Sequence, residues 1–404
     1  MKKILLTLLG LGGIALAAFL IFGPAWFDKQ TNIVDGKPLP EIRAEAQKLH
    51  DSLMIVDLHG DTLLWKRKIT DSTDYGHIDL DRLEAGNVGL QIFSSVTKTP
   101  KGQNYDSNGA DSDNITLLSI TQLQPMQTWF SLLERQLYHT QKLDKAVAES
   151  GGRLTPVSKP EHLARLDNSI GVLFSAEGLQ TLEGERGNLK KLYAAGMRMA
   201  GLVHFFDNEL AGSMHGIKKG GLTDFGRTIV RDMEDMGMIV DIAHSSHDSV
   251  ADILKMARRP VVSSHGGVQA VCGVNRNLTD KEIKRVAATG GIIGLGYWDG
   301  AMCNTDPATV AKAAKHVRDL VGIEHVALGS DFDGAVTTRF DTSGIVHITQ
   351  ALMDAGFTEA EIRAVMGLNA LRVIKAGLVP LSQTVAPAKA GAQSDSDARA
   401  SAAG

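Results

Sequence analysis

The segment MIVDLHGDTLLW, residues 54–65, ends an apolar run with His59 and Asp61. In an extended chain, residues two apart project to the same face, so both side chains address one volume. An imidazole and a carboxylate aimed together suit a divalent metal ion, yet two donors do not complete a site. Further donors close other apolar runs. Glu177 follows GVLFSA, His204 follows RMAGLV, His244 follows MIVDIA and His265 follows PVVSS. Asp331 follows HVALGS, with Asp333 two residues on. A lone histidine in such a place is more often a satisfied structural residue. Four histidines and three acids at equivalent places, from a total of 13 histidines, point to one shared site.

Nitrogen and carboxylate donors without thiolates suit Zn²⁺ and similar ions in a catalytic setting. The donors exceed what one tetrahedral zinc needs, and two ions sharing a carboxylate would use the set. Two-metal centres activate a water and clamp the attacking and leaving atoms, which is the chemistry of hydrolysis. His247 reads as a capping or surface residue, and His77 and His215 have no context. The chain has no GxSxG elbow and no GxxxxGK[ST] loop, so serine-esterase and nucleotide-hydrolase readings lack support.

The elements that must position these donors alternate. Eight apolar runs begin near residues 54, 88, 171, 198, 238, 260, 291 and 325. Most are continuously apolar, as strands buried on both faces of a parallel sheet are. Helical patterns lie between them. In GLTDFGRTIVRDMEDMG, residues 221–237, Thr223 is placed as N-cap and Gly237 as the stop. The alternation predicts an α/β fold, a (β/α)8 TIM barrel over residues 47–380 with its site at the C-terminal ends of the strands. The stretch 97–150 predicts a polar loop and then one long helix from Ile115 to Glu149.

The chain has 404 residues and a formal net charge of -4, with no basic stripe interleaved with aromatics, so nucleic acid is not expected as a partner. Residues 4–22 carry no charge and span about 28 Å as a helix, close to the hydrocarbon thickness. With Lys2 and Lys3 ahead of it, residues 1–23 read as an uncleaved signal-anchor in preference to a cleaved signal peptide ending near Ala15-Leu16-Ala17. Either reading carries the bulk of the chain across the inner membrane into the periplasm. Residues 24–46 read as a linker leading into a helix around Pro40–Leu53, and 381–404 as a disordered Ala/Ser/Gly-rich tail. Cys272 and Cys303 lack CxxC spacing and read as two reduced buried thiols in preference to a bridge.

At these residues the sequence resembles the membrane dipeptidase (renal dipeptidase) family, the M19 metallopeptidases, within the amidohydrolase-like barrels. IVDLHGDT, HIDLDRLEAGNVGLQIFS, FSAEG, GLVHFFDNELAGS, GLTDFGRTIVRDMEDMGMIVDIAHSS, SSHGGVQAVCGVNRNLTD and ALGSDFDGA occur in the family's order over roughly residues 45–378. The resemblance implies two zinc ions per chain. His59, Asp61 and a bridging Glu177 would hold one, and Glu177, His244 and His265 the other. It implies that a hydroxide bridging the ions attacks the amide carbon of a dipeptide, including those with a D-residue at the C-terminal position. His204 would polarise the scissile carbonyl, Arg276 would bind the substrate carboxylate and Asp331 would handle protons. A homodimer is the expected assembly. The rivals are an N-acyl-amino-acid amidase or lactonase on the same centre and an inactive envelope binding protein. Three departures from the family pattern, Gly60, Leu368 and the YWDGAMC segment, are expected near the substrate pocket or its rim.

Overall fold

The computed structural model describes residues 2–381 of the chain. The tail expected from residue 382 onward lies outside the described residues. Eight strands of one parallel sheet follow each other in sequence order: β1 (Ile55–Gly60), β2 (Val88–Phe93), β3 (Ile170–Glu177), β4 (Met197–Gly201), β5 (Ile239–Asp241), β6 (Val262–Ser263), β7 (Ile292–Leu295) and β8 (Val326–Leu328), while a short ninth strand, Leu154–Pro156, pairs with β3 outside that order. A parallel bridge from Gly60 to Phe332, with the Asp61 amide donating to the Phe332 carbonyl at 2.8 Å, joins the last strand back to the first. Each strand is followed by a helix, so this is a (β/α)8 TIM barrel.

The continuous apolar runs are explained by burial on both faces. Val56 and Leu58 of β1, Ile92 of β2, Leu173 of β3, Met199 of β4 and Ile239 of β5 pack together inside. Val262, Ile292 and Ala327 of β6, β7 and β8 complete that cluster, and Val373 and Ile374 of the C-terminal helix Asn369–Gly377, with Leu378 just after it, close it. Ile55 and Phe93 instead join the larger outer core, which packs the strands against the helices. A shift in pairing register between Asp57 and Gly60 interrupts the inside–outside alternation at His59.

The helix over Asp224–Met236 is capped as its sequence predicts. The Thr223 hydroxyl accepts from the Gly226 amide at 3.0 Å, and Gly237 ends it with φ +76°. The long helix expected from Ile115 to Glu149 is instead broken into Asn114–Thr121, a short turn at Met126–Trp129 and Leu132–Glu149. Pro125 is the cause: it has no amide to donate and drives the residue before it out of helical geometry. Leu123, two residues earlier, adopts φ +56°.

Two further expectations are corrected. The first helix does not end with the apolar run but continues from Lys2 through Thr31, into the stretch read as linker. Residues Ile33–Val34 then pair in parallel with Thr337–Thr338. Tertiary contacts hold this foot. Asp28, buried, accepts from Arg67 at 3.0 Å and from Asn32 at 2.7 Å. The second correction is Cys272–Cys303, which form a disulfide with a Cα–Cα separation of 5.5 Å. The strand–helix connections bring together two thiols that lie 31 residues apart, which local spacing could not reveal.

Candidate metal centre

Each predicted donor arrives at the same end of the barrel. His59 lies in β1 and Asp61 just beyond it, and Glu177 is the last residue of β3. His204, His244, His265 and Asp331 follow β4, β5, β6 and β8 within three residues. All seven are buried. Glu177 is the hub. Its Oε1 lies 2.7 Å from His244 Nε2, 3.1 Å from His265 Nε2 and 3.6 Å from His59 Nε2, and its Oε2 lies 3.5 Å from His204 Nε2. His59 Nε2 is 3.3 Å from Asp61 and 3.9 Å from Asp331. The donor atoms fall into three overlapping triads: His59–Glu177–His265, Glu177–His204–His244 and His59–Asp61–Asp331. This grouping pairs His204 with His244 and adds Asp331 to His59 and Asp61, so it differs in detail from the two ligand sets that the resemblance implied.

The donor chemistry fits divalent cations. His244 Nε2 and His265 Nε2 lie 3.0 Å apart and both meet the same carboxylate oxygen. Neutral imidazoles offer a lone pair each, and a metal ion is a partner that such a convergence can share with a carboxylate. Asp61 Oδ1 is buried without a hydrogen bond, although buried carboxylates normally find partners. The electrostatics agree. Burial pushes the imidazoles of His204, His244 and His265 well below their ordinary pKa. Burial and the neighbouring Asp61 push Glu177 well above the carboxylate range. Asp331 is raised to about 7 by burial, with His59 opposing and Asp61 reinforcing the shift. Burial works against a charged His59, but Asp61 and Glu177 overcome it and lift that imidazole to about 10.

The supporting residues were not singled out by sequence. Asp57 accepts from the His59 amide at 3.2 Å and from the Ser330 amide at 2.9 Å. Asp241 accepts from the Ala243 amide at 3.0 Å and the Ser264 hydroxyl at 2.5 Å, and that hydroxyl lies 2.8 Å from His265 Nδ1. The signal was present: MIVD occurs twice, at 54–57 and 238–241, with Asp57 bracing His59 and Asp241 supporting His265 through Ser264. His244 and Asp331 adopt φ +63° and +62°, a conformation that side chains rarely take and that costs about 1–3 kcal/mol where it occurs.

A cavity of about 760 Å³ opens onto Asp61, Glu177, His204, His244 and Asp331. Arg276 also lines it, buried, with Nη2 donating to the His265 carbonyl at 2.9 Å and the guanidinium 5.6 Å from the Trp298 ring. Burial lowers the Arg276 pKa, and Asp331 opposes that shift. Tyr105 and Phe205 complete this side, and Trp298 Nε1 lies 3.2 Å from the Tyr105 hydroxyl. His215, without context in the sequence, stacks on Phe205 at 4.4 Å and meets the Tyr105 carbonyl at 2.8 Å. His77 is buried away from the cavity and accepts from the Asp333 amide at 3.0 Å. His247 opens a helix, partly exposed, 2.6 Å from Glu282, as a surface role predicts.

Of the three departures from the resemblance pattern, Trp298 of the YWDGAMC segment does line the cavity. Gly60 sits at the end of β1, where a Cβ would come 2.5 Å from Ile78 Cδ1. Leu368 is half exposed at the other end of the barrel, because Gly367 beside it packs against the Met54 carbonyl at the start of β1. The expectation that Leu368 borders the pocket is therefore wrong.

Comparison with known proteins places this geometry. Residues 43–380 match the family described as Membrane dipeptidase (Peptidase family M19). The dipeptidase verJ of Clonostachys rogersoniana is 29% identical over 347 residues, covering 82% of this chain and 86% of that protein. The fold is shared with the probable dipeptidase PvdM of Pseudomonas aeruginosa, with a TM-score of 0.70, 19% identity, and coverage of 83% of this chain and 98% of that one. A metallopeptidase of Rhodobacter sphaeroides, solved with a phosphinate mimic of the dipeptide L-Ala-D-Ala, gives a TM-score of 0.66, 20% identity, and coverage of 80% and 99%. A continuous family match across the whole barrel, together with the buried His, Asp and Glu cluster at its strand ends, identifies the chain as a metallo-dipeptidase belonging to the membrane dipeptidase family, peptidase family M19.

Proposed function

We propose that the chain hydrolyses free dipeptides, including those with a D-residue at the C-terminal position, using two zinc ions. The observation that carries this reading is the meeting of three imidazoles on one Glu177 oxygen, with Arg276 in the same cavity. His59, Asp61 and Glu177 would hold one ion and Glu177, His244 and His265 the other. Two such ions supply an activated water at neutral pH and neutralise the charge that develops as it attacks. The rest is done by the chain. Arg276 presents a planar fork of donors that matches the C-terminal carboxylate of the dipeptide. His204 donates a ring N–H to the carbonyl oxygen as negative charge grows there. Asp331 takes the proton of the attacking water and passes it to the nitrogen, so that the C–N bond breaks to give an acid and an amine. The solved R. sphaeroides relative, with its L-Ala-D-Ala mimic, supports the tolerance of a D-residue.

The same reading puts the barrel in the periplasm on an N-terminal anchor. The helix Lys2–Thr31 is long and apolar enough to cross a membrane, and its apolar side chains are exposed. It packs against the helix Asn114–Thr121, and that region exposes Leu117, Leu123, Met126 and Phe130. A disulfide belongs in an oxidising compartment. The test is a panel of L,L-, L,D- and N-acetylated dipeptides. Cleavage of the free compounds and not the blocked ones supports the reading, whereas cleavage of only the acylated ones replaces the substrate class.

A further inference from the structure

The C-terminal half of the N-terminal helix is part of the catalytic cavity. Phe19, Gly23, Pro24, Trp26 and Phe27 line the same space as Asp61, Glu177 and Asp331. The Phe27 ring lies 6.0 Å from that of Trp65, beside an apolar cluster of Leu64, Trp65, Val96 and Ile115. Leu118 packs on this cluster and also faces the cavity.

This wall is fixed in place. Asp28 accepts from Arg67 Nε at 3.0 Å, and Arg67 Nη2 lies 2.5 Å from Asp333. Asn32 Oδ1 accepts from the Ala335 amide at 2.9 Å, and the Ile33 amide donates to the Val336 carbonyl at 3.1 Å. The helix foot is thereby tied to the loop that carries Asp331. Every wall residue also follows the Ala15–Ala17 segment, so the wall survives cleavage there.

The cavity lining sorts into two ends. Arg276 groups with Trp298 and His244 on one side, and the helix groups with Trp65 and the 334–336 loop on the other. Glu177 and Asp331 belong to the space that both ends share. The volume, about 760 Å³, falls in the range of about 300–1,000 Å³ typical of pockets for larger ligands. From this arrangement we infer that the helix-walled end is a subsite for a large apolar side chain on the N-terminal residue of the substrate. This rests on the proposed dipeptidase reading, in which the C-terminal carboxylate sits at Arg276. With the scissile amide over Glu177, the N-terminal side chain then extends toward Phe27 and Trp65. Burial of an aromatic or branched side chain there favours its substrate over a glycyl one, and the anchor helix acts as a specificity determinant.

The full chain in phospholipid nanodiscs, loaded with zinc, is assayed with Gly-Ala, Leu-Ala and Phe-Ala, the C-terminal residue held constant. The inference predicts a kcat/KM for Phe-Ala about tenfold or more above that for Gly-Ala, expressed mainly in KM. The double substitution Trp26→Ser, Phe27→Ser should bring that ratio close to one, and so should Leu118→Asn on the facing wall. Zinc content equal to the parent's shows that each variant is folded. A parent ratio near one, or a ratio that neither variant moves, overturns the inference, while turnover of Gly-Ala leaves the dipeptidase reading intact. Failure of the zinc-loaded parent to cleave any of the three overturns both.

Discussion

Asp331 and Asp333 stand two residues apart on one loop, both buried and both with positive φ, yet their surroundings oppose each other. Burial raises Asp331 to about 7, and its Oδ1 lies 3.9 Å from His59 Nε2, an imidazole that Asp61 and Glu177 approach more closely. Burial also works to raise Asp333, but Arg67 and the hydrogen bonds from Thr62 Oγ1 at 2.6 Å and the His77 amide at 2.6 Å outweigh it and hold that carboxyl below its ordinary value. One carboxylate faces the donor cluster and the cavity. The other is saturated and ties the loop after β8 to the segment that follows β1 and, through Arg67 and Asp28, to the N-terminal helix. The same residue type thus has opposite surroundings in the two places, and the proposed mechanism assigns reaction to Asp331 and architecture to Asp333.

Substitutions should separate the two roles. Asp331→Asn is expected to lower kcat by about 10²–10⁴-fold while thermal stability is unchanged or higher, because a group removed from proton transfer costs rate and not folding. Asp333→Asn should do the reverse. Breaking a buried pair costs about 3–5 kcal/mol, so the denaturation midpoint should fall steeply, by calorimetry or urea titration, and any residual activity should come from the folded fraction. The pH dependence follows from the sign of the shift. A carboxyl held below its ordinary 3.8 contributes its full stability above that value and loses it as pH falls further, so Asp333→Asn should remove part of the acid-unfolding limb.

Smaller effects sharpen the division. His204→Ala should lower turnover by about 10²-fold with metal content retained, since removal of a donor to a developing oxyanion costs on that scale. Unchanged turnover at equal metal content would remove that role from His204. Reduction of Cys272–Cys303 should destabilise the fold by about 2–4 kcal/mol without altering the kcat of the folded protein, as read by melting with and without reductant.

The sequence made the barrel and the donor cluster legible for one reason. A parallel strand is apolar along its length, so a His, Asp or Glu that ends it is conspicuous. His59, Glu177, His244 and His265 could be read from that contrast alone. Asp57 and Asp241 leave only a fainter trace, the repeated MIVD, because an acid within a strand does not itself name the amides and hydroxyls it meets. The helix foot resembles a linker in sequence because its partners are remote: Asp28 is 39 residues from Arg67, and Asn32 is 303 residues from Ala335. The break at Pro125 is readable locally, although the helical patterns on either side of it suggest one continuous helix.

The cluster around Glu177 is proposed as a dinuclear hydrolytic centre. The most direct measurement strips the full chain of metal with a chelator and follows hydrolysis of a free dipeptide as zinc is added back. A dinuclear centre should show no activity without metal and a rise that levels off at about two equivalents per chain. Full activity after chelation, or a plateau at one equivalent, would contradict it.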